Sequence, residues 1–196
     1  MARRIFLMDG HPAPRSISGT LLATYGGAAE GAGHDLRRMA LSEMTFDIDH
    51  GVGGYASQKP FEPDLEAFIA NLEWCEHVVL AFPLWWGTVP AKLKGVFDRA
   101  LFPGRAFSTR ERTMIGVPKP MLTGRTARVF VTADTPAFYL RLAYGNAVRR
   151  QIARQVLGFC GIRPVAFDHF FPGTDASEEQ IAAFADRARA RGAAGA

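Results

Sequence analysis

The chain is expected to fold as an α/β protein with a doubly wound, five-stranded parallel sheet and helices on both faces. Three observations point there. Short apolar runs of strand length recur along the 196 residues. Segments with apolar residues at helical spacing alternate with those runs, and turn residues separate the two. The run HVVLAF at residues 77–82 is of the kind found in buried strands.

Residues 4–8 form the first strand. Beyond a loop, Leu21, Leu22, Tyr25, Ala28 and Ala29 make a helical stripe that ends near Gly31 and Gly33. Residues 35–41 read as a weaker second strand. Leu65, Phe68, Ile69 and Leu72 stripe a second helix, which leads into the third strand at 77–82. Pro90 suits the first turn of a third helix, where Leu93, Val96, Phe97, Ala100 and Leu101 fall on one face at i, i+3, i+4, i+7 and i+8. Residues 126–132 are a fourth strand, 148–157 lie in a fourth helix, and 163–170 are a fifth strand. Ser177 and Gln180 form a capping box, and Ile181, Phe184, Ala185 and Ala188 stripe the closing helix. Segments 42–62 and 102–124 stay irregular. The second is too long for a plain connector and is expected to be a lid or a subunit-contact loop.

Composition narrows the function. With 48% hydrophobic residues the chain can build one substantial core, so residues 1–196 are expected to be a single domain. The formal charge of +4 is spread along the chain without aromatic interleaving, which argues against nucleic acid. Arg149, Arg150 and Arg154 make the strongest positive patch. It fits a plain helix surface, help with an anionic dinucleotide, or a subunit contact. Cys75 and Cys160 are too few for a disulfide framework and fit inert buried thiols. The opening MARRIFLMDG has too short an apolar run for a signal peptide, and no stretch nears the roughly 20 residues that span a bilayer, so a cytoplasmic protein is expected. His11, His34, His50, His77 and His169 are scattered, with no HExxH, CxxC or GxSxG, and no metal site is expected.

Chemistry concentrates in VVLAFPLWWGTVPAKLKGVFDRAL, residues 78–101. The apolar run halts at Pro83 and places Leu84, Trp85, Trp86 and Gly87 on a loop at the carboxyl end of a strand, where open α/β sheets bind ligands. Two indoles there are placed to stack on a flat cofactor ring; the dipeptide alone fits two core tryptophans equally well. In the first loop, Ser16, Ser18, Gly19 and Thr20 offer hydroxyls and backbone N–H groups at a helix start, which suits a phosphate. Ser18 also fits an ordinary N-cap, and His11 a loop histidine without a ligand. GxGxxG and the Walker lysine are missing, which disfavours a Rossmann dehydrogenase or a P-loop NTPase.

FPLWWGTVPAKLKGVFDR resembles the flavin-contacting segment of the flavodoxin-like NAD(P)H:quinone oxidoreductases. GHPAPRSIS, VTADTPAFY and LGFCGIRPV extend the resemblance over nearly the whole chain. It implies the strand order 2-1-3-4-5, which brings the loops after strands one, three and four together at the switch point. It implies a flavin, FMN or FAD, held by His11, Ser16, Ile17 and Ser18, by Pro83, Leu84, Trp85, Trp86 and Gly87, and by Thr132, Ala133 and Asp134. Tyr139 would steady charge on the flavin during hydride transfer. The implied reaction carries two electrons from NADH or NADPH to a quinone or similar flat acceptor, by a ping-pong mechanism. Trp85, Trp86 and Phe107 would line a pocket completed across a homodimer.

Several positions depart from that pattern. Ser18 stands for an asparagine, Ala133 and Asp134 for two glycines, and Thr109 for an aromatic. The histidine that accompanies the tyrosine has no counterpart, Tyr144 being the nearest polar ring. Tyr139 equally fits a packed aromatic, and Asp134 a turn residue before Pro136. Some members of the family are regulatory partners of potassium-efflux transporters, and true flavodoxins are one-electron carriers. No residue here identifies a membrane partner, and the basic charge fits poorly with the acidic carriers.

Overall fold

The computed structural model describes residues 2–51 and 59–196. Met1, and with it the start of the segment read against a signal peptide, lies outside the described residues, as do residues 52–58 of the irregular 42–62 segment. In chain order the elements are β1 (Arg4–Asp9), α1 (Ile17–Gly31), β2 (Asp35–Ala40), α2 (Pro63–Trp74), β3 (His77–Pro83) and α3 (Ala91–Ala100). There follow β4 (Phe107–Arg112), β5 (Pro118–Pro120), β6 (Thr126–Thr132), α4 (Ala137–Leu142) and α5 (Ala147–Arg150). A π-helical stretch (Gln151–Val156) continues α5 into α6 (Leu157–Cys160), and β7 (Val165–Phe170) and α7 (Glu178–Ala193) complete the chain.

Strands β2, β1, β3, β6 and β7 make one parallel sheet in that order, the 2-1-3-4-5 arrangement expected for five sheet strands. The period of two along each strand divides the core. Phe6, Met8, Val78, Leu80, Phe82, Val129 and Val131 face one layer with α2, α3 and the helix running from 147 to 160. Ile5, Leu7, Val79, Ala81 and Phe130 face the other, with Leu21, Tyr25 and Phe184 of α1 and α7. The two outer helices lie close: a Cβ at Gly192 of α7 would come within 2.1 Å of the Tyr25 carbonyl oxygen of α1. Asp168 locks α7 onto this layer, since its buried carboxylate takes Arg128 of β6 together with Arg187 and Arg191 of α7.

Three local features differ from expectation. The 102–124 segment is not irregular throughout, because β4 and β5 pair as an antiparallel hairpin whose tip exposes Met114 and Ile115. The short helix α4 buries none of its residues and so shows no apolar stripe to read. The fourth helix is not uniformly α. Its buried residues are Val148, Ile152, Leu157, Gly158 and Cys160, and the five-residue step from Ile152 to Leu157 is what the wider π turn accommodates. Boundaries move by one or two residues elsewhere; β7 begins after Pro164, which has no N–H to give a ladder. Among the described residues no helix is long and apolar enough to cross a membrane.

Candidate active site

The sheet order sets the ends of β1, β3 and β6 side by side, so the loops after them converge at one edge of the molecule. Backbone hydrogen bonds tie these ends together: Gly10 N–H donates to Ala81 O (2.7 Å) and Leu84 N–H to Thr132 O (2.8 Å). Gly10 is needed here, since a Cβ would lie 2.9 Å from the Ala81 oxygen and 2.6 Å from Leu93.

After β3 the chain reverses through Trp85–Thr88, which exchange two backbone hydrogen bonds of 3.1 Å. Trp86 (φ 51°) and Gly87 (φ 76°) occupy the two central positions, both left-handed, as in a type I′ turn. Glycine takes that conformation freely; a tryptophan there costs about 1 kcal/mol. The strain displays the Trp86 indole entirely to solvent. Trp85 is half-exposed and meets the His11 ring edge-on, with centroids 5.6 Å apart. The tryptophans are thus a surface pair, not core filling, while Pro83 is buried at the end of β3.

The first loop is built around an open helix start. Ser16 is the N-cap of α1, its hydroxyl accepting from Gly19 N–H (3.0 Å). Ile17 packs its side chain against the core, and Ser18 is buried with its hydroxyl 3.3 Å from that of Thr132. Both serine hydroxyls are therefore engaged within the protein. The N–H groups of Ile17 and Ser18, in contrast, have no partner among the described residues and lie at the positive end of a 15-residue helix. His11 Nδ1 accepts from Ala13 N–H (3.0 Å), which leaves a proton for Nε2 when the ring is neutral. Beneath the loop, burial pushes the Asp9 carboxyl above its ordinary value, against the opposing hydrogen bond from His11 N–H.

In the third loop Ala133 N–H is committed to Phe170 O (3.1 Å). The Asp134 carboxylate accepts from the Thr174 hydroxyl (2.6 Å) and from the N–H groups of Thr174 (2.7 Å) and Gly173 (2.9 Å). These bonds hold its carboxyl below the usual range, the Thr174 hydroxyl contributing most. Asp134 thus fastens the β6 loop to the β7 loop, and the N–H groups of Asp134 and Thr135 have no partner among the described residues.

Above the sheet edge lies a cleft of ≈870 Å³, walled by Leu84, Trp86 and Gly87 on one side and by Thr135, Phe138 and Tyr144 on another. His169 of β7 also lines it; burial, with Arg187 next in effect, lowers its pKa, and its Nε2 is buried without a partner among the described residues. Tyr139 is half-exposed and is not among the lining residues, its ring being edge-on to Tyr144, which is, at 5.4 Å. Phe107 does not line the cleft: it is buried in the core against Phe159, centroids 5.1 Å apart. Sequence reasoning missed Thr135, Phe138, Arg141 and His169 as cleft residues, while Arg149, one of the arginines read as a positive patch, does line it; Pro136 before AFYLRL was the available signal for a helix there.

The edge fits a flavin. Exposed indoles on a strained turn match an isoalloxazine ring, and the open amides at the start of α1 match a phosphate. Burial pushes both cysteine thiols up to about 12, and no group of three His, Cys, Asp or Glu among the described residues could hold a metal.

A family model described as flavodoxin-like fold matches residues 3–191. The chain is 26% identical over 207 residues to a rat protein named ribosyldihydronicotinamide dehydrogenase [quinone], covering 91% of this chain and 85% of that protein. It is 30% identical over 112 residues to an FMN-dependent NADH:quinone oxidoreductase of Cereibacter sphaeroides, 57% of this chain and 53% of that protein. With two other curated relatives, from Haemophilus influenzae and Penicillium crustosum, the chain spans about half their length, 45% and 57%. A solved structure, the NAD(P)H:quinone oxidoreductase from Methanothermobacter marburgensis, superposes with a TM-score of 0.79 at 21% identity over 98% of this chain and 96% of that one. The chain belongs to the flavodoxin-like family whose model spans residues 3–191.

Proposed function

We propose that the protein is a flavin-dependent NAD(P)H dehydrogenase (quinone), holding FMN or FAD and acting on a quinone or similar flat acceptor. The observation that carries this reading is the Trp85–Thr88 turn, which presents an exposed indole to a ≈870 Å³ cleft at the carboxyl ends of the central strands. When bound, the flavin supplies the hydride chemistry between reduced nicotinamide and acceptor. The chain's part is to bind and orient. Amides of Ile17 and Ser18 would hold the phosphate, and Trp85 and Trp86 the ring. The open N–H groups of Asp134 and Thr135 would face its polar edge. Tyr139, set by its contact with Tyr144, would bring a hydroxyl donor to negative charge at that edge.

Donor and acceptor would use the same cleft in succession, a ping-pong order. Phe138 and Leu142 of α4 and Met114 and Ile115 of the hairpin are exposed, and a homodimer would cover some of them. The test is reconstitution with FMN and with FAD, then initial rates with NADH or NADPH and a benzoquinone. Stable flavin retention and parallel double-reciprocal lines are expected; no flavin binding at micromolar protein would end this reading.

A further inference from the structure

We propose that the groove behind the tryptophan turn, bordered by Arg150 and Arg154, binds the 2′-phosphate of NADPH and makes the protein selective for NADPH over NADH. This rests on the reading of the protein as an NAD(P)H oxidoreductase.

The groove, ≈510 Å³, is lined by Gly87, Ala147, Arg150, Gln151, Arg154 and Gln155. Gly87 and Ala147 also line the large cleft, so the two spaces adjoin. The helical contributors stand at i, i+3, i+4, i+7 and i+8, one face that runs from α5 into the π-helical stretch. Thr88, at the end of the tryptophan turn, donates its hydroxyl to Gln151 Oε1 (3.2 Å) and pins the turn to that stretch.

The groove carries uncompensated charge. Several basic side chains elsewhere are neutralised locally: Arg38 pairs with Glu30, Arg99 with Glu62, Arg105 with Glu66 and Glu73, and Arg128 with Asp168. Arg150 and Arg154 pair with no carboxylate among the described residues, and no carboxylate lines the groove. Two exposed guanidiniums four residues apart, without a counter-ion, repel each other. A phosphate between them removes that repulsion and accepts their planar N–H forks. The Gln151 amide nitrogen and Gln155 add neutral donors suited to ribose hydroxyls. A pocket this small accepts one phosphorylated sugar at a fixed distance from the aromatic cleft, not a tracked nucleic-acid backbone.

The test uses flavin-loaded protein and two nicotinamide-free probes, adenosine 2′,5′-bisphosphate and 5′-AMP, titrated by calorimetry. Wild type should bind the bisphosphate about tenfold more tightly than 5′-AMP, as two partly screened charge-assisted contacts imply. Arg150→Gln with Arg154→Gln should erase that margin, and the lysine pair should restore part of it. The ratio of kcat/KM for NADPH to that for NADH should fall by a similar factor. Equal binding of the two probes by wild type, or an unchanged ratio in a double variant with a wild-type melt, overturns the proposal. So does salt-sensitive binding of a single-stranded oligonucleotide in place of the bisphosphate. Selective bisphosphate binding by a protein that oxidises neither donor would keep the groove assignment and reject the oxidoreductase reading. Oxidation of both donors with equal efficiency, and no selective binding, would do the reverse.

Discussion

Replacing Trp86 with alanine is expected to separate ligand binding from folding. The indole is wholly exposed, so its truncation removes no apolar surface buried within the subunit. The left-handed φ of 51° burdens alanine about as much as tryptophan, so that strain remains. Flavin-free protein should therefore keep its unfolding free energy within about 0.5 kcal/mol. With flavin bound, the same truncation forfeits about 1 kcal/mol of ring stacking and about 1 kcal/mol for roughly 50 Å² of covered indole face. The sum, about 2 kcal/mol, corresponds to roughly 30-fold in Kd. Trp85→Ala should differ, because Trp85 packs on His11 and its loss should lower both stability and binding. Flavin affinity is measured by fluorescence quenching with FMN and FAD, and stability by urea unfolding of the flavin-free protein. A Trp86→Ala protein that binds flavin as wild type does, yet unfolds about 2 kcal/mol more easily, would make this ring a packing element and refute the stacking role.

Other substitutions probe the scaffold. Ser16→Ala removes the N-cap bond to Gly19 and should cost about 1 kcal/mol of stability, read from the urea midpoint, and weaken flavin binding by loosening the amides of Ile17 and Ser18. Gly158→Ala would place a Cβ 2.2 Å from the Ala153 carbonyl oxygen inside the π-helical register, and should destabilise by about 2 kcal/mol or lose the register, seen as a lower melting temperature. His77 is held neutral, its pKa lowered from 6.5 to about 4 by burial first and then by Arg3, Arg128 and His34. Its folded pKa lies below its unfolded one, so the unfolded chain binds the extra proton between those values. Stability should be full above about pH 6.5, decline by up to about 3 kcal/mol as pH falls to about 4, and lose this slope in His77→Gln. Urea midpoints across that range are the measurement. Tyr139→Phe and Tyr144→Phe, compared by stopped-flow flavin reduction at matched occupancy, should show slowing of about tenfold in the first and less in the second.

The centre of the sheet was legible because β1, β3 and β6 are buried on both faces, which leaves apolar runs such as HVVLAF with little competing reading, whereas the edge strand β2 has no buried residue and reads more weakly. Helices α1, α2, α3 and α7 were legible because each presents an apolar stripe to that sheet. Helix α4 has no such stripe, so periodicity was silent there. The β4–β5 hairpin has a register shift and only one buried residue on its longer strand, so alternation was too weak to read. At the site, the tryptophan turn and the helix start could be found from residue types in order along the chain. The partners of the serine hydroxyls could not, because Ser18 and Thr132 are 114 residues apart and meet only through strand order. Phe107 misled for a related reason: an aromatic after an irregular segment carries no mark of which way its ring turns, and Phe159, which receives it, is distant in sequence.

The Asp134 fastening has a kinetic consequence. With three donors on its carboxylate and Ala133 N–H tied to β7, the backbone beside the cleft is ordered before any ligand arrives. Its conformational entropy is surrendered during folding, not during association. Cofactor capture should then be a single concentration-dependent step with no slow rearrangement following it. Asp134→Ala, which frees residues 134 and 135, should introduce such a phase and slow capture more than it speeds release.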